Sequence, residues 1–437
     1  MAKIFSDAQL RELEKSLPQL ALEAIDAGDH DRLSHLLLQM SAAHTALHFL
    51  GVACITRIWG KWHRDHGEET TLAALERIGR KAMAPFIAQW RQGEEKRTIA
   101  DIIDLYKQQA GGQLAPERQA AGEVAFAMTP CGSGGINVLR GFEKKMPQWY
   151  RRTSDGTPIF CAGCKALQKA LNDDAGEQVW TTDINASVPG GCRMAFRPQQ
   201  AADGDLFKPH ELYTMVKTKA QQALEKVAVG KYDVADLVEG QQYDWGPWHD
   251  FLMTWTEYTF AMCRELGGMD YLRECLREGY DSAFGFLYNS MEAFPDDRSR
   301  VEALAQNWHY HQGAFRIEEE EDRFVFILDP CGSGGRMFRE EMAKDSFHYN
   351  TELAPLEPQA SDITFNRKDF PLYCTHCASG NIDQFKGKPL IFVVDGHAQM
   401  RRGMPCRQYV WKKGAKPQVE RRLLAQVGMA ENQQDDG

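Results

Sequence analysis

The hexapeptide Pro130-Cys131-Gly132-Ser133-Gly134-Gly135 recurs later in the chain as Pro330-Cys331-Gly332-Ser333-Gly334-Gly335. A six-residue match that includes a cysteine is not expected by chance. Self-similarity of this kind is the signature of a duplicated structural unit. We therefore interpret the chain as two copies of one unit, each built around this Gly-rich loop.

The similarity extends to both sides of the loop. The segments 124–128 and 324–328, which precede the two loops, are apolar and predict a strand running into each loop. Downstream, Cys161-x2-Cys164 and Cys192 in the first copy match a second C-x2-C pair and a late cysteine in the second copy. The second copy has a longer interval between loop and C-x2-C, as expected for an insertion in a surface loop. Upstream of the loops, further residues match at the same offset as the two hexapeptides. In order, Gly67, Leu72, Arg77, Gly79 and Phe86 match Gly267, Leu272, Arg277, Gly279 and Phe286.

The pattern of apolar residues divides each copy into two parts. Apolar residues at helical spacing begin each copy, and a β-rich part that contains the cysteines follows. We predict an α+β fold in tandem duplication, each half being a helical segment followed by a small sheet with a four-cysteine metal site. The predicted segments are an N-terminal helix at 1–30, a first repeat at 31–200, a linker helix at 201–239, a second repeat at 240–415 and a polar tail at 416–437.

Composition and charge restrict the class of protein. The 437 residues are 43% hydrophobic and 26% charged, which is typical of soluble globular proteins. A net charge of −10 and only short basic pairs argue against nucleic-acid binding. We find neither an apolar run long enough to span a membrane nor the apolar core of a secretory signal. These features predict a cytoplasmic protein that binds neither nucleic acid nor membrane.

Eleven cysteines in a reducing compartment indicate metal binding or thiol chemistry rather than disulfides. Eight of them belong to the repeat, and four thiolates per copy would complete a tetrahedral metal shell. In each loop the flexible backbone allows successive N–H groups to point at a sulfur, and an arginine after the last cysteine would offset thiolate charge. The predicted metal ligands are Cys131, Cys161, Cys164 and Cys192 in the first copy and Cys331, Cys374, Cys377 and Cys406 in the second. The predicted supporting residues are Gly132, Ser133, Gly134, Gly332, Ser333, Gly334, Arg193 and Arg407.

Two metal identities remain open from the spacing alone. Zinc is favoured, because zinc commonly stabilises loops that a core cannot hold. A [4Fe-4S] cluster in each copy is the alternative, since the same four-thiolate shell holds one. A redox role for the C-x2-C pairs is disfavoured, because redox pairs normally open a helix after a strand. The loop also lacks the Lys-Ser/Thr end of a phosphate-binding P-loop.

Four histidines are candidates for chemistry because each occurs in one copy only. His44 and His48 are four residues apart in the first long helix and therefore share a face. Without a glutamate after the first, they do not form a zinc-protease motif, and a place at a helix interface is the favoured interpretation. His249 and His376 are the candidates in the second half of the chain.

The late cysteines carry a family resemblance. Cys161, Cys164 and Cys192 followed by Phe196, and the second set followed by Trp411, resemble the pattern of proteins similar to L-2-amino-thiazoline-4-carboxylic acid hydrolase. They are also similar to vinyl-reductase-type small-molecule sensor domains. The resemblance covers about the last third of each copy and implies a cysteine-ligated zinc and a small-molecule ligand. The Gly-rich loop lies outside that pattern.

These observations predict a cytoplasmic metal-containing enzyme that acts on a small organic molecule, either a hydrolase or lyase or an iron–sulfur oxidoreductase. Two alternatives stay open. One is a redox protein with two iron–sulfur clusters and a redox partner, and the other is a non-catalytic ligand-binding or scaffold protein with structural zinc. A homo-oligomer is compatible with all three.

Overall fold

The computed structural model describes residues 3–109, 112–117, 122–184, 189–199, 206–338, 353–354, 358–367, 370–386, 390–396, 405–427 and 429. The chain divides into two compact units. The amino-terminal unit is Leu17–Trp255, and the carboxy-terminal unit combines Met1–Ser16 with Thr256–Gly437. The fold is mixed α and β, as predicted, with long helices and two small four-stranded antiparallel sheets.

The amino-terminal unit is mainly helical and contains one sheet. A left-handed Gly67, with a φ of 81°, kinks its longest helix. The last helix begins here and continues past residue 255, with a second kink at Gly267 and Gly268. The elements are α2 (Leu17–Asp26), α3 (His30–Ala42), α4 (Thr45–Arg91), α5 (Glu95–Lys107), β1 (Leu114–Pro116), β2 (Val124–Met128), α6 (Gly134–Leu139), α7 (Phe142–Lys145), α8 (Ile159–Ala175), β3 (Trp180–Ile184), β4 (Cys192–Phe196), α9 (Pro209–Met215), α10 (Lys219–Val227) and α11 (Ala235–Leu276).

The carboxy-terminal unit begins with the first helix of the chain and resumes within α11. A π-helical turn, Arg277–Asp281, follows α11, and a 3₁₀ turn spans Pro358–Ile363. The remaining elements are α1 (Asp7–Leu13), α12 (Ser282–Ala293), α13 (Asp297–Tyr310), β5 (Phe315–Glu319), β6 (Arg323–Leu328), α14 (Gly334–Phe338), β7 (Leu353–Ala354), β8 (Phe370–Pro371), α15 (Thr375–Phe385), β9 (Phe392–Asp395), β10 (Cys406–Trp411) and α16 (Arg421–Gln426).

The four-stranded sheets of the two units have the same connectivity. Their strand orders are β1-β2-β4-β3 and β5-β6-β10-β9, and every neighbouring pair is antiparallel. In the first sheet Met128 pairs with Cys192, and in the second Leu328 pairs with Cys406. The predicted strands at 124–128 and 324–328 are therefore present, each ending beside the start of a strand that opens with a cysteine.

Close helix packing holds the first C-x2-C pair in place. Helix α8 packs along α4, and small residues allow the two backbones to approach. A Cβ atom on Gly79 would lie 2.6 Å from the carbonyl oxygen of Ala166. A Cβ atom on Gly163, between the two cysteines of α8, would lie 2.4 Å from the ring of Trp59, which is fully buried. The first turn of α8 is therefore anchored in the core by its contact with α4.

The division into units differs from the predicted segments 1–30 and 201–239. Residues up to Ser16 belong with the carboxy-terminal unit, because Glu319 of β5 accepts hydrogen bonds from the backbone N–H groups of Ile4 and Phe5, at 2.7 and 3.0 Å. The second boundary lies at residue 255 within α11 rather than in a linker. Helices α9 and α10 are the predicted linker helix, interrupted near Lys217.

One helical stretch among the described residues, His30–Arg91, is long and apolar enough by length and composition to cross a membrane. Its most apolar window has a mean hydropathy of 1.3 and is 47% buried within the protein. A single helix of this kind is weak evidence, because the core helix of a soluble protein passes the same test. Trp59 and Trp62 of this stretch are fully buried, as in a core helix. The cytoplasmic location stays a prediction.

Candidate metal centre

The Gly-rich loop of the amino-terminal unit wraps its backbone around one sulfur. The backbone N–H groups of Ser133, Gly134 and Gly135 all donate hydrogen bonds to the sulfur of Cys131. A 2.9 Å hydrogen bond from the N–H of Cys131 to the carbonyl of Gly190 anchors the loop. These three N–H donors act to lower the pKa of Cys131, but burial outweighs them and raises it above its ordinary value.

The other three cysteines approach this loop from two elements. Cys161 and Cys164 lie in the first turns of α8, and Cys192 opens β4 beside the end of β2. The C-x2-C pair therefore begins a helix. Gly134 lies directly against Cys161, because a Cβ atom on Gly134 would be 2.4 Å from that sulfur. The loop thus needs glycine at position 134 to let the sulfur approach the backbone.

The four repeated cysteines of the amino-terminal unit, Cys131, Cys161, Cys164 and Cys192, line one cavity of about 20 Å³. This space holds about one water molecule, since a water needs roughly 10–15 Å³. The rest of the wall is apolar or backbone, apart from Tyr106 of α5 and Thr182 of β3. The structure therefore brings the four sequence-distant residues together around a small enclosed space.

Burial makes the thiolate forms of these cysteines costly without a cation. Burial raises the pKa of the Cys164 thiol to about 12, and the charge of Cys131 adds to the shift. Burial also raises the pKa of Cys161 well above its ordinary value, and the charges of Cys164, Cys131 and Cys192 raise it further. A bound cation would remove both penalties, because it compensates the negative charge that burial disfavours. The donor set therefore fits a thiophilic metal, and it does not fit an activated nucleophile, whose pKa is lowered.

The arrangement of the sulfurs differs from a closed single-ion site. Among the described residues, no group of three or more His, Cys, Asp or Glu side chains is arranged to hold one metal ion. Zinc lies about 2.3 Å from each thiolate sulfur, so four zinc ligands close tightly around one point. The four repeated cysteines of the amino-terminal unit instead enclose a space that admits a water-sized sphere.

The carboxy-terminal unit has a corresponding cluster. The backbone N–H groups of residues 333–335 donate to the sulfur of Cys331, as in the first loop. Burial raises the pKa of Cys374 well above its ordinary value, and the charges of Cys377, Cys331 and Cys406 raise it further. A Cβ atom on Gly334 would lie 2.0 Å from the sulfur of Cys374. The four predicted ligands of the second copy are therefore close enough to influence one another.

The two arginines that we expected beside the cysteines are placed differently. Successive residues of a strand point to opposite faces, so Arg193 points away from Cys192. Its guanidinium pairs with Glu117 at 2.8 Å and with Glu123 at 2.7 Å. In the second unit the backbone N–H of Arg407, rather than its charge, is directed at the sulfur of Cys406.

A different arginine lies near the second cluster. The charge of Arg336 in α14 lowers the pKa of Cys331. The corresponding residue of the first copy is Ile136, so sequence comparison of the copies did not select it. The two clusters therefore differ in the charge beside the loop cysteine.

The four candidate histidines have different surroundings. His48 is buried, and its Nε2 lies 3.0 Å from the hydroxyl of Ser133 in the loop. His44 is buried one turn earlier against the rings of Trp245 and Trp248. His249 is buried with its Nδ1 3.0 Å from Asp250. The hydrogen bond with Ser133 joins His48 to the Gly-rich loop.

His376 belongs to the carboxy-terminal cluster. It lies between the two cysteines of the second C-x2-C pair, and its Nε2 is 3.5 Å from the sulfur of Cys377. Its Nδ1 is bonded to the carbonyl of Tyr373, and burial lowers its pKa to about 4. Because the carbonyl of Tyr373 takes the Nδ1 proton, the Nε2 of the neutral imidazole can only accept a hydrogen bond from the Cys377 thiol, and the ring adds no positive charge.

A second cavity of about 50 Å³ lies beside the cysteine cavity in the amino-terminal unit. Tyr106 and Cys164 line both cavities, and the Tyr106 hydroxyl is hydrogen-bonded to the Cys164 sulfur. The other polar residues that line this second cavity are His48, Gln109 and Ser133. Its apolar wall is formed by Val52, Met83, Ile102, Leu105, Phe160, Leu167, Trp180, Trp248, Phe251, Leu252 and Trp255. We call this second space the aromatic cavity.

Sequence reasoning missed Tyr106, Gln109 and Phe160 as parts of the site. Tyr106 continues the buried stripe of Ile99, Ile102 and Ile103 in α5, which predicts only a core position. Trp248 and Trp255 line the aromatic cavity, whereas Trp59 is core.

Comparisons with protein-family models, with curated proteins and with solved structures found no match to this chain. The resemblance of the late cysteines to small-molecule domains therefore stays a prediction.

Proposed function

We propose that the chain is an enzyme that carries a four-thiolate metal centre in each copy of a duplicated unit and acts on a small organic molecule in the amino-terminal unit. One observation carries this proposal, namely that Tyr106 and Cys164 form the shared wall of the cysteine cavity and the aromatic cavity. A molecule in the aromatic cavity would contact a metal ligand directly. Small-molecule sites are typically apolar spaces with a few polar groups, as here.

The duplication is supported by features shared by the two units. Both sheets have the same strand order. In each sheet the strand before the Gly-rich loop ends opposite a cysteine, which is the first residue of the neighbouring strand. Both loop cysteines accept three backbone N–H hydrogen bonds.

A [4Fe-4S] cluster in each centre is the second candidate, and the size of the cysteine cavity favours it. Four cysteines that surround a water-sized space leave more room than one zinc ion needs. Thiolates in an apolar shell with N–H groups directed at sulfur suit such clusters, and these groups tune their potentials. On this reading the protein is an oxidoreductase or passes electrons to a partner.

Metal analysis of anaerobically purified protein tests the centres. We expect either about two zinc ions in a colourless protein or about eight iron atoms in a brown one. Cys131→Ser should lower the content by half, because one of two centres loses a ligand. Cys54→Ala is the matched control, since Cys54 is a buried cysteine outside both repeated sets, and should leave the content unchanged. Wild-type protein without bound metal, or an undiminished content in Cys131→Ser, would refute the proposal.

Catalysis is tested separately from metal binding. The holoprotein is incubated with a mixture of small metabolites, and mass spectrometry follows which compound is converted. We expect wild-type protein to consume a compound that Cys131→Ser leaves intact. A compound that is bound but never converted would support the ligand-binding alternative and contradict the enzyme proposal.

A further inference from the structure

The loop serines Ser133 and Ser333 have different hydrogen-bond partners in the two copies, and this difference bears on what the aromatic cavity could bind. In the carboxy-terminal unit the hydroxyl of Tyr373 is hydrogen-bonded to Ser333, and Nδ1 of His311 lies 3.0 Å from the same serine. Tyr373 immediately precedes the first cysteine of its C-x2-C pair. The corresponding residue of the amino-terminal unit is Phe160, which has no hydroxyl.

The amino-terminal unit has a cavity next to Phe160. The aromatic cavity is lined by Phe160, by Ser133 and by His48. His48 is 3% exposed, and its Nδ1 has no hydrogen-bond partner among the described residues. A buried polar atom without a partner is costly, and such atoms normally have one. A ligand hydroxyl in this cavity would supply the group that Tyr373 supplies in the other unit.

We infer that the aromatic cavity binds a small uncharged alcohol whose hydroxyl group hydrogen-bonds to the pair formed by His48 and Ser133. The inference rests on the proposed function, whose substrate class it names. An alcohol both donates and accepts, so it fits either tautomer of a neutral imidazole. The rings of Trp180, Trp248 and Trp255 would contact its carbon atoms.

The charge and size of the aromatic cavity restrict which ligands it can bind. Among the residues that the structure describes, no Asp, Glu, Lys or Arg lines the aromatic cavity, so a charged ligand would lose its hydration without a counter-ion. Burial lowers the pKa of His48 to about 3, which keeps the imidazole neutral at ordinary pH. The volume of about 50 Å³ is well below the roughly 150 Å³ of an engineered cavity that binds benzene. The ligand is therefore smaller than a benzene ring.

Ligand-observed NMR with the metal-loaded protein tests the inference. The probes are 2-propanol, acetone and acetate, which have the same number of non-hydrogen atoms but differ in donor capacity and charge. We expect saturable binding of 2-propanol in the range of about 0.1–10 mM, given the small number of contacting atoms. Acetone should bind more weakly, and acetate should not bind.

Two variants locate the binding. Phe160→Tyr places a hydroxyl where the ligand hydroxyl would lie and should weaken 2-propanol binding at least tenfold. Val52→Leu reduces the volume of the cavity from another wall and should also weaken it. Tyr373→Phe makes the reverse exchange in the other unit and is the matched control, with unchanged affinity expected. The inference is overturned if wild-type protein shows no saturable binding, if Phe160→Tyr binds as wild type does, or if acetate binds as well as 2-propanol.

Metal content measured on the same samples separates the two proposals. Full metal content without alcohol binding refutes the inference and leaves the metal centres standing. Alcohol binding by protein that never contains metal refutes the proposed metal centres but supports the inferred class of ligand.

Discussion

Gly134→Ala is expected to abolish metal binding in the amino-terminal centre while the chain still folds. The added Cβ atom would lie 2.4 Å from the sulfur of Cys161, a distance that real Cβ atoms do not show. Cys161 cannot retreat easily, because the following turn of α8 is packed against α4 through Gly163 and Trp59. The sulfur or the loop must therefore move, and the four ligands lose their common centre.

Metal analysis of paired glycine variants measures this effect. Gly334→Ala should remove the other centre in the same way, since its Cβ atom would lie 2.0 Å from the sulfur of Cys374. Each single variant should retain half of the wild-type metal, and the double variant should retain none. Gly246→Ala is the control, because a Cβ atom there meets nothing within 4 Å and alanine favours the helix. Full metal content in Gly134→Ala would show that Cys161 is not a ligand.

Glu319→Ala is expected to destabilise the carboxy-terminal unit by about 3–5 kcal/mol, the usual cost of leaving one partner of a buried ion pair alone. The side chains of Glu319 and Lys412 are each 1% exposed, and their charged atoms lie 2.8 Å apart. The same carboxylate also accepts the backbone N–H groups of Ile4 and Phe5 and so ties the amino terminus to β5. The variant leaves the Lys412 charge buried and removes these two hydrogen bonds of the amino terminus.

Urea unfolding followed by circular dichroism measures the loss. Glu318→Ala is the matched control, because Glu318 is exposed and its contact with Arg316 is a surface ion pair worth less than about 1 kcal/mol. The double variant Glu319→Gln, Lys412→Met should recover part of the loss, since it removes the unpaired charge. Equal stability of Glu319→Ala and Glu318→Ala would contradict the role of the pair.

Acid pH should reduce the difference between wild type and Glu319→Ala. Burial acts to raise the pKa of Glu319, but Lys412 and the two backbone N–H groups outweigh it and lower the pKa below its ordinary value. A carboxylate with a lowered pKa stabilises the fold above its unfolded pKa of about 4.3, and this contribution is lost as the pH falls through the folded value. Unfolding curves between neutral pH and pH 3 would reveal this convergence.

The local elements and the candidate ligands follow from short-range patterns in the chain. The strands at 124–128 and 324–328 and the helical segments are encoded by apolar periodicity, which depends on near neighbours only. Repetition of the Gly-rich loop selected eight of eleven cysteines, because residues kept in both copies stand out from incidental core cysteines such as Cys54. The glycines of the loop also follow from sequence, since only they allow a backbone to curl around a sulfur.

Contacts between residues far apart in sequence decide the rest. Periodicity places Tyr106 on a buried face but does not say that this face meets Cys164, which comes from another helix. Arg193 follows a ligand in sequence, yet strand alternation turns its charge toward Glu117 and Glu123. The amino terminus belongs to the carboxy-terminal unit because Glu319 binds its backbone, and no local pattern encodes a pairing across 315 residues. Local chemistry thus predicts which residues can bind a metal, whereas packing determines which side chains share a wall with them.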